Sequence, residues 1–149
     1  MESKNIYLVL AYYYFTDIEN PHDLVAAHKE FFAEKDIRSR IYISHQGING
    51  QMSGSRESAE AYMNWLRSHP LFSDVVFKVH EHHENVFPRK TVKYRPQLVA
   101  IDEEIAVQEG GEKVSPKEWK QLLESEERPL LLDVRNTYEW EVGRFAGAE

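Results

Sequence analysis

At 149 residues, with 42% hydrophobic and 29% charged side chains, the chain has the make-up of a globular protein and not of a disordered one. A formal charge of −7 argues against wholesale nucleic-acid binding driven by net charge, while leaving a local basic patch open. The lack of cysteine excludes a disulfide framework, a thiolate zinc site and a cysteine nucleophile within these residues.

Ile6 to Phe15 is an unbroken apolar and aromatic run whose β-rich content predicts a central strand. Pro21, with Asn20 as cap, opens a helix to about Lys35, because Leu24, Val25, His28, Phe31 and Phe32 recur at helical spacing. Ile37, Ile41 and Ile43 share one parity and Tyr42 takes the other, which predicts a second strand. Gly47-Ile48-Asn49-Gly50 reads as a turn or bulge, with Gln51 to Ser53 pairing back as a third strand. Ser55 caps a second helix that Pro70 closes, and Val75 to Val79 supplies a fourth strand. The order β-α-β-β-α-β is the ferredoxin-like arrangement, with two helices on one face of an antiparallel sheet. Phe87 to Ile101 reads as a loop leading to an extra extended segment.

Residues 101–114 are acidic, contain Gly110-Gly111 and suit a linker. The domain boundary is expected between Ala100 and Ser115, so residues 1–100 form the first domain and 115–149 a second piece. Ser115-Pro116-Lys117-Glu118 is a capping box that opens a helix to about Glu126. A strand over Leu130 to Val134 follows, then Arg135, Glu139, Gly143 and Gly147-Ala148. No run reaches the length of a membrane span, and the first residues lack the pattern of a signal peptide, so no membrane association and a cytoplasmic location are expected.

Four separated stretches point to one family. They are the aromatic first strand, Gly47-Ile48-Asn49-Gly50 with Ser53-Gly54, the basic run from Arg89 to Arg95, and Asp133-Val134-Arg135 followed by Glu139 and Gly147-Ala148. Together they resemble the rhodanese-related tRNA uridine hydroxylases, the UPF0176 family. The resemblance implies an α+β chain with an acylphosphatase-like, ferredoxin-like N-terminal domain and then the incomplete start of an α/β rhodanese domain. It also implies oxygen-dependent formation of 5-hydroxyuridine at the wobble position of tRNA. Molecular oxygen is then the co-substrate, tRNA the partner, and the essential cysteine is expected beyond Glu149, so this chain alone is expected to be inactive. Sulfur transfer by these residues is disfavoured, since a persulfide carrier needs a thiol. A binding module without catalysis is the competing reading.

Arg89, Lys90, Lys93 and Arg95 form the dense basic run, and an RNA backbone or a lysine-protected strand edge would each account for it. Asp133, Arg135 and Glu139 occupy the rhodanese pattern. Arg135 could hold a thiolate or persulfide by charge, while Asp133 and Glu139 suit an ion pair and a helix cap. The glycine motif lacks a P-loop's Lys-Ser/Thr continuation and reads as structural. His80 and His82 would share a strand face, but no distant partner set completes a metal site, and no cofactor is identifiable. Thr16-Asp17-Ile18-Glu19 lacks the arginine and glycines of a phosphate cradle, which argues against acylphosphatase chemistry. The 115–149 piece has too few elements to cover both faces of a parallel sheet. It is expected to be disordered, docked on the first domain or self-associated.

Overall fold

In a computed structural model, the described residues are 6–99 and 110–149, and they fall into two compact units. In the first unit the elements run β1 (Tyr7–Phe15), α1 (Pro21–Phe32), β2 (Ile37–Ser44), β3 (Gly47–Ser55), α2 (Arg56–Ser68), β4 (Lys78–His82) and β5 (Lys90–Tyr94). The sheet order is β4-β1-β3-β2-β5. Its first four strands are the expected antiparallel ferredoxin-like set, and β5 is added parallel to β2. The extra extended segment is thus a fifth strand.

Period-two alternation sorts the strands. Leu8, Leu10 and Tyr12 of β1, Ile37, Ile41 and Ile43 of β2, Ile48 and Met52 of β3 and Val92 of β5 are buried beneath the helices. From the helices, Leu24, Val25, His28 and Phe32 of α1 and Ala59, Tyr62 and Leu66 of α2 close the core. Phe31 stacks on Trp65 at 4.7 Å between ring centroids, which pins the two helices to each other. Ser55 caps α2 as expected, its hydroxyl accepting from the Ser58 amide at 3.3 Å. Asn20 stands at the N-cap of α1 but its side chain makes no capping bond.

Four expectations need correction in this unit. The glycine motif is not a turn. Residues 45 and 46 make the turn, and β3 already begins at Gly47. Glycine occurs in this strand because its neighbours leave no room for a side chain. A Cβ on Gly47 (φ +144°) would lie 2.1 Å from the Tyr14 carbonyl oxygen, and one on Gly50 would lie 2.3 Å from the Tyr12 ring. The fourth strand is Lys78–His82 and not Val75 to Val79. Val75 and Phe77 are buried by packing from a loop, with the Phe77 ring 4.8 Å from that of Tyr12, and pairing with β1 starts only at Lys78. Helix α1 stops at Phe32, three residues before Lys35, because Ile37 is already drawn into the sheet.

The last correction concerns a charge. The Lys90 ammonium donates to three backbone carbonyls at the end of α1 and just after it, those of Phe32 (2.6 Å), Ala33 (3.2 Å) and Lys35 (2.8 Å). These oxygens lie at the negative end of the helix dipole, and the Phe32 and Lys35 carbonyls also accept from the Lys35 and Ile37 amides, so the cation adds charge-assisted bonds that stabilise the end. Lys90→Met is expected to lower stability by about 1 kcal/mol. Urea unfolding checks this, and an unchanged midpoint would show that the three contacts contribute nothing.

In the second unit, α3 (Pro116–Glu124) carries the expected capping box: the Glu118 amide donates to the Ser115 hydroxyl and the Ser115 amide to the Glu118 carboxylate at 2.7 Å. It ends two residues before Glu126. A short helix, α4 (Thr137–Val142), follows. Leu130 to Val134 is extended but joins no sheet among the described residues. Its bonds run to Glu149, whose amide donates to the Leu131 carbonyl at 3.0 Å and whose carbonyl accepts from Asp133 at 2.9 Å. Leu131 is buried, while Leu130 (71%), Leu132 (61%) and Val134 (93%) are exposed. The linker assigned to 101–114 lies mostly outside the described residues. No helix among the described residues is long and apolar enough to cross a membrane.

Candidate functional site

The face of the sheet away from the helices carries a second set of side chains. The basic run contributes unevenly to it. Lys90 shares parity with Val92 and lies on the helix side, bound to the end of α1. Lys93 pairs in register with Tyr42 and is exposed on the open face. Arg95 places its guanidinium 3.9 Å from the Tyr42 ring centroid, on the same face. Arg89 is exposed just before β5, and its carbonyl accepts from the Ser39 amide at 2.8 Å. The structure therefore brings Lys93 and Arg95 together and separates Lys90 from them.

Two cations of this face escaped the sequence reading. Arg38 and Arg40 alternate with the buried Ser39 and Ile41, so both belong to the open side of β2. Their signal was present as Arg38-x-Arg40-x-Tyr42, a period-two row on the polar face of a strand. It is less visible than a contiguous run because only the pairing of β2 with β5 sets these cations beside Lys93.

The segment after β1 is no anion cradle. The Thr16 and Ile18 amides donate to the carbonyls of Gln46 (3.1 Å) and His45 (2.9 Å), so neither is directed at a ligand. His80 and His82 share the open face of β4. No group of three or more potential metal ligands occurs among the described residues.

In the second unit, Asp133 and Arg135 form a two-pronged ion pair. Arg135 Nε donates to Oδ1 at 2.9 Å and Nη2 to Oδ2 at 2.7 Å. The Arg135 guanidinium holds the Asp133 carboxyl below its usual range, and Asp133 in turn raises Arg135. Arg135 also donates to the Gly143 carbonyl at 2.7 Å, tying the segment after the extended run to the end of α4. The Glu139 carboxylate accepts from the Asn136 amide at 3.1 Å and closes the N-terminus of α4. These three residues thus hold the local backbone. Leu131, Val134, Phe145 and Trp119 line an apolar groove beside the ion pair.

Comparison with known proteins matches residues 7–98 to the UPF0176 acylphosphatase like domain. The chain belongs to the UPF0176 family. The family match covers the sheet and both helices of the first unit, including Arg38, Arg40, Lys93 and Arg95. A relative from Protochlamydia amoebophila, named tRNA uridine(34) hydroxylase, is 64% identical over 149 residues, covering 100% of this chain and 47% of that protein. Relatives of the same name from Chlamydia felis and Chlamydia pneumoniae are 54% and 51% identical, covering 97% and 99% of this chain and 44% and 45% of theirs. The chain spans about half the length of the curated relatives it matches. Among solved structures, the dark state of BlrB, a BLUF protein, superposes with a TM-score of 0.51 at 11% identity, covering 61% of this chain and 73% of that one. That likeness concerns the fold alone.

Proposed function

We propose that this UPF0176 chain is the tRNA-holding half of a tRNA uridine(34) hydroxylase. The observation that carries the reading is the 64% identity, across all 149 residues, to a relative of that name. The exposed cations of the open sheet face support it, since an acidic protein that gathers arginine and lysine on one surface has a local field for a polyanion. In this reading Arg89, Lys93 and Arg95 meet the tRNA, and Lys90 acts through the end of α1.

The substrate is tRNA, the product 5-hydroxyuridine at the wobble position, and molecular oxygen the co-substrate. A tRNA substrate implies a cytoplasmic location. Residues 115–149 begin a rhodanese domain, in which Asp133 and Glu139 hold the backbone and Arg135 presents its charge toward a thiolate. That thiolate belongs to the half of the relatives' length that this chain does not span. Further strands of the same domain would cover Leu130, Leu132 and Val134, and self-association through them is a property of the isolated chain. Sulfur transfer and simple RNA retention are the outcomes to test against.

The test is complementation. In cells lacking their own hydroxylase, this chain fused to the remaining half of the Protochlamydia relative is expected to restore 5-hydroxyuridine in tRNA, measured by mass spectrometry of nucleosides. The 149-residue chain alone is expected not to. Failure of the fusion, expressed and folded, would remove the reading; success of the chain alone would move the chemistry into these residues.

A further inference from the structure

The open face of the sheet is not uniform. At the end where β1 starts, the crossover from β4 to β5 lies over it. Ser53, buried there, donates to Asn85 Oδ1 at 2.8 Å and accepts from the Val86 amide at 3.1 Å. Asn85 donates in turn to Asp36 at 2.8 Å, Tyr7 donates to the other oxygen of that carboxylate at 2.9 Å, and Arg38 donates to the Pro88 carbonyl at 2.5 Å. This end is therefore closed, and its carboxylate is engaged.

The other end is open and differently furnished. One cross-strand row sets Lys93, Tyr42, Asn49 and Tyr13 side by side on β5, β2, β3 and β1. The next row sets Thr91, Arg40, Gln51, Ala11 and Lys78 across all five strands. Every one of these positions is exposed or half-buried, and none is acidic. Arg95 lies over the Tyr42 ring at 3.9 Å, and the Tyr13 ring stands 5.7 Å from that of Phe15. Cations thus occupy the two margins and β2, while amides and aromatic rings occupy the middle.

We propose that these two rows receive a single-stranded loop of RNA. The inference builds on the tRNA reading above and adds to it the surface used and the state of the RNA bound there. Each part of the surface fits one part of an unpaired nucleotide. Tyr13 and the Arg95–Tyr42 stack offer flat faces to bases, a contact that works for any base. Arg40, Lys93 and Lys78 meet phosphates, which position the strand. Asn49 and Gln51 carry donors and acceptors that suit base edges. A duplex keeps its base faces stacked, so it would engage the marginal cations and leave the rings and amides of the middle without a role. A protein partner is disfavoured by the same layout, because the core of a protein interface is depleted of charge and here Arg40 stands on an interior strand between Thr91 and Gln51.

The experiment uses the 149-residue chain and two fluorescent RNAs: an unmodified anticodon stem-loop, and the same stem closed by a minimal loop. The stem-loop with the full anticodon loop is expected to bind more tightly. Tyr13→Leu and Tyr42→Leu, which keep apolar bulk but remove the ring, are each expected to weaken it roughly tenfold and to leave the stem control unchanged. The pair R40Q/K93Q is expected to reduce the salt slope by about 1.4, the value for two phosphates of a single strand. A charge-matched pair on the helix side of the same unit, K29Q/K35Q, is expected to leave binding unchanged. Thermal melts of all variants confirm folding, and ultraviolet crosslinking of the wild-type chain to the loop, mapped to β1 or β2, gives a second reading without substitution. If the chain binds the stem-loop but face and control variants weaken alike, or crosslinks map elsewhere, the face is wrong and the tRNA reading stands. If the chain binds neither RNA, the proposal falls, and the complementation result then judges the tRNA reading separately.

Discussion

Replacing Gly47 by Ala is expected to unfold much of the N-terminal unit at temperatures where the parent is native. Two independent costs combine. The residue sits at φ +144°, a backbone region that L side chains rarely enter, and the strain is on the order of 1–3 kcal/mol. The new Cβ would also lie 2.1 Å from the Tyr14 carbonyl oxygen and 2.9 Å from the Phe15 Cα. Both are backbone atoms of β1, an interior strand of the sheet, so no side-chain rotation relieves the clash; β1 and β3 must separate where they pair Phe15 with Gly47. A total loss of about 4 kcal/mol is a large share of the stability of a domain this size. The control is Gly143→Ala, whose Cβ meets nothing within 4 Å and whose backbone is extended at φ 177°; it is expected to stay within about 0.5 kcal/mol of the parent. Urea denaturation of the two variants decides the matter. Equal midpoints would mean that the strand pair yields to a methyl group far more readily than its geometry implies.

Acidification is the second large effect, and it centres on His28. This side chain is fully buried, with Nδ1 2.8 Å from the Leu24 carbonyl and Nε2 3.0 Å from the Tyr62 hydroxyl. A carbonyl can only accept, so Nδ1 carries the proton and donates. Nε2 therefore accepts from Tyr62, and the Tyr62 hydroxyl accepts from that of Tyr12. The chain of bonds is complete with a neutral imidazole, and a second proton, on Nε2, would require both hydroxyls to reverse and would place a charge in the core. Burial pushes the pKa down to about 4 from 6.5, and raises the phenols of Tyr12 and Tyr62. Between those two values the unfolded chain binds a proton that the folded chain refuses. Stability contributed by neutral His28 is thus intact above pH 6.5 and falls as the pH drops toward 4, by roughly 3 kcal/mol in all. His28→Gln, which keeps hydrogen-bonding groups but does not titrate in this range, is expected to be less stable at neutral pH and to lose this part of the slope. Chemical denaturation of both proteins at several pH values from 7 to 4 measures the difference; parallel profiles would show that His28 is not the proton acceptor.

Much of the architecture is legible from residue order. Alternation in β2 separates Ile37, Ile41 and Ile43 from Tyr42, helical spacing in α1 selects Leu24, His28 and Phe32, and Ser55 and Ser115 open their helices with the bonds their chemistry predicts. These features depend on neighbours within a turn or a strand, so a local pattern suffices. The candidate surface is less legible. A contiguous run presents Lys90 and Lys93 as equivalent, yet one secures a helix end and the other is exposed on the open sheet face. The glycines at 47 and 50 mimic a turn because the same freedom serves a turn and a close approach between strands. The strand expected over Val75 to Val79 is displaced because burial from a loop and burial from a ladder leave the same apolar mark.

By itself the sequence determines the alternation of faces, the ferredoxin-like order of elements, the capping of its helices and, through its separated motifs, its family. Only the tertiary structure decides which cations share a surface. Arg40 and Lys93 are far apart along the chain and become diagonal neighbours because β5 adds parallel to β2 and sets Lys93 beside Tyr42. Likewise His28, Tyr62 and Tyr12 become one hydrogen-bonded row only when α1, α2 and β1 close on each other. The physical reason is common to both: parity and spacing specify the direction of a side chain within its own element, whereas its neighbours across elements are set by pairing register and packing.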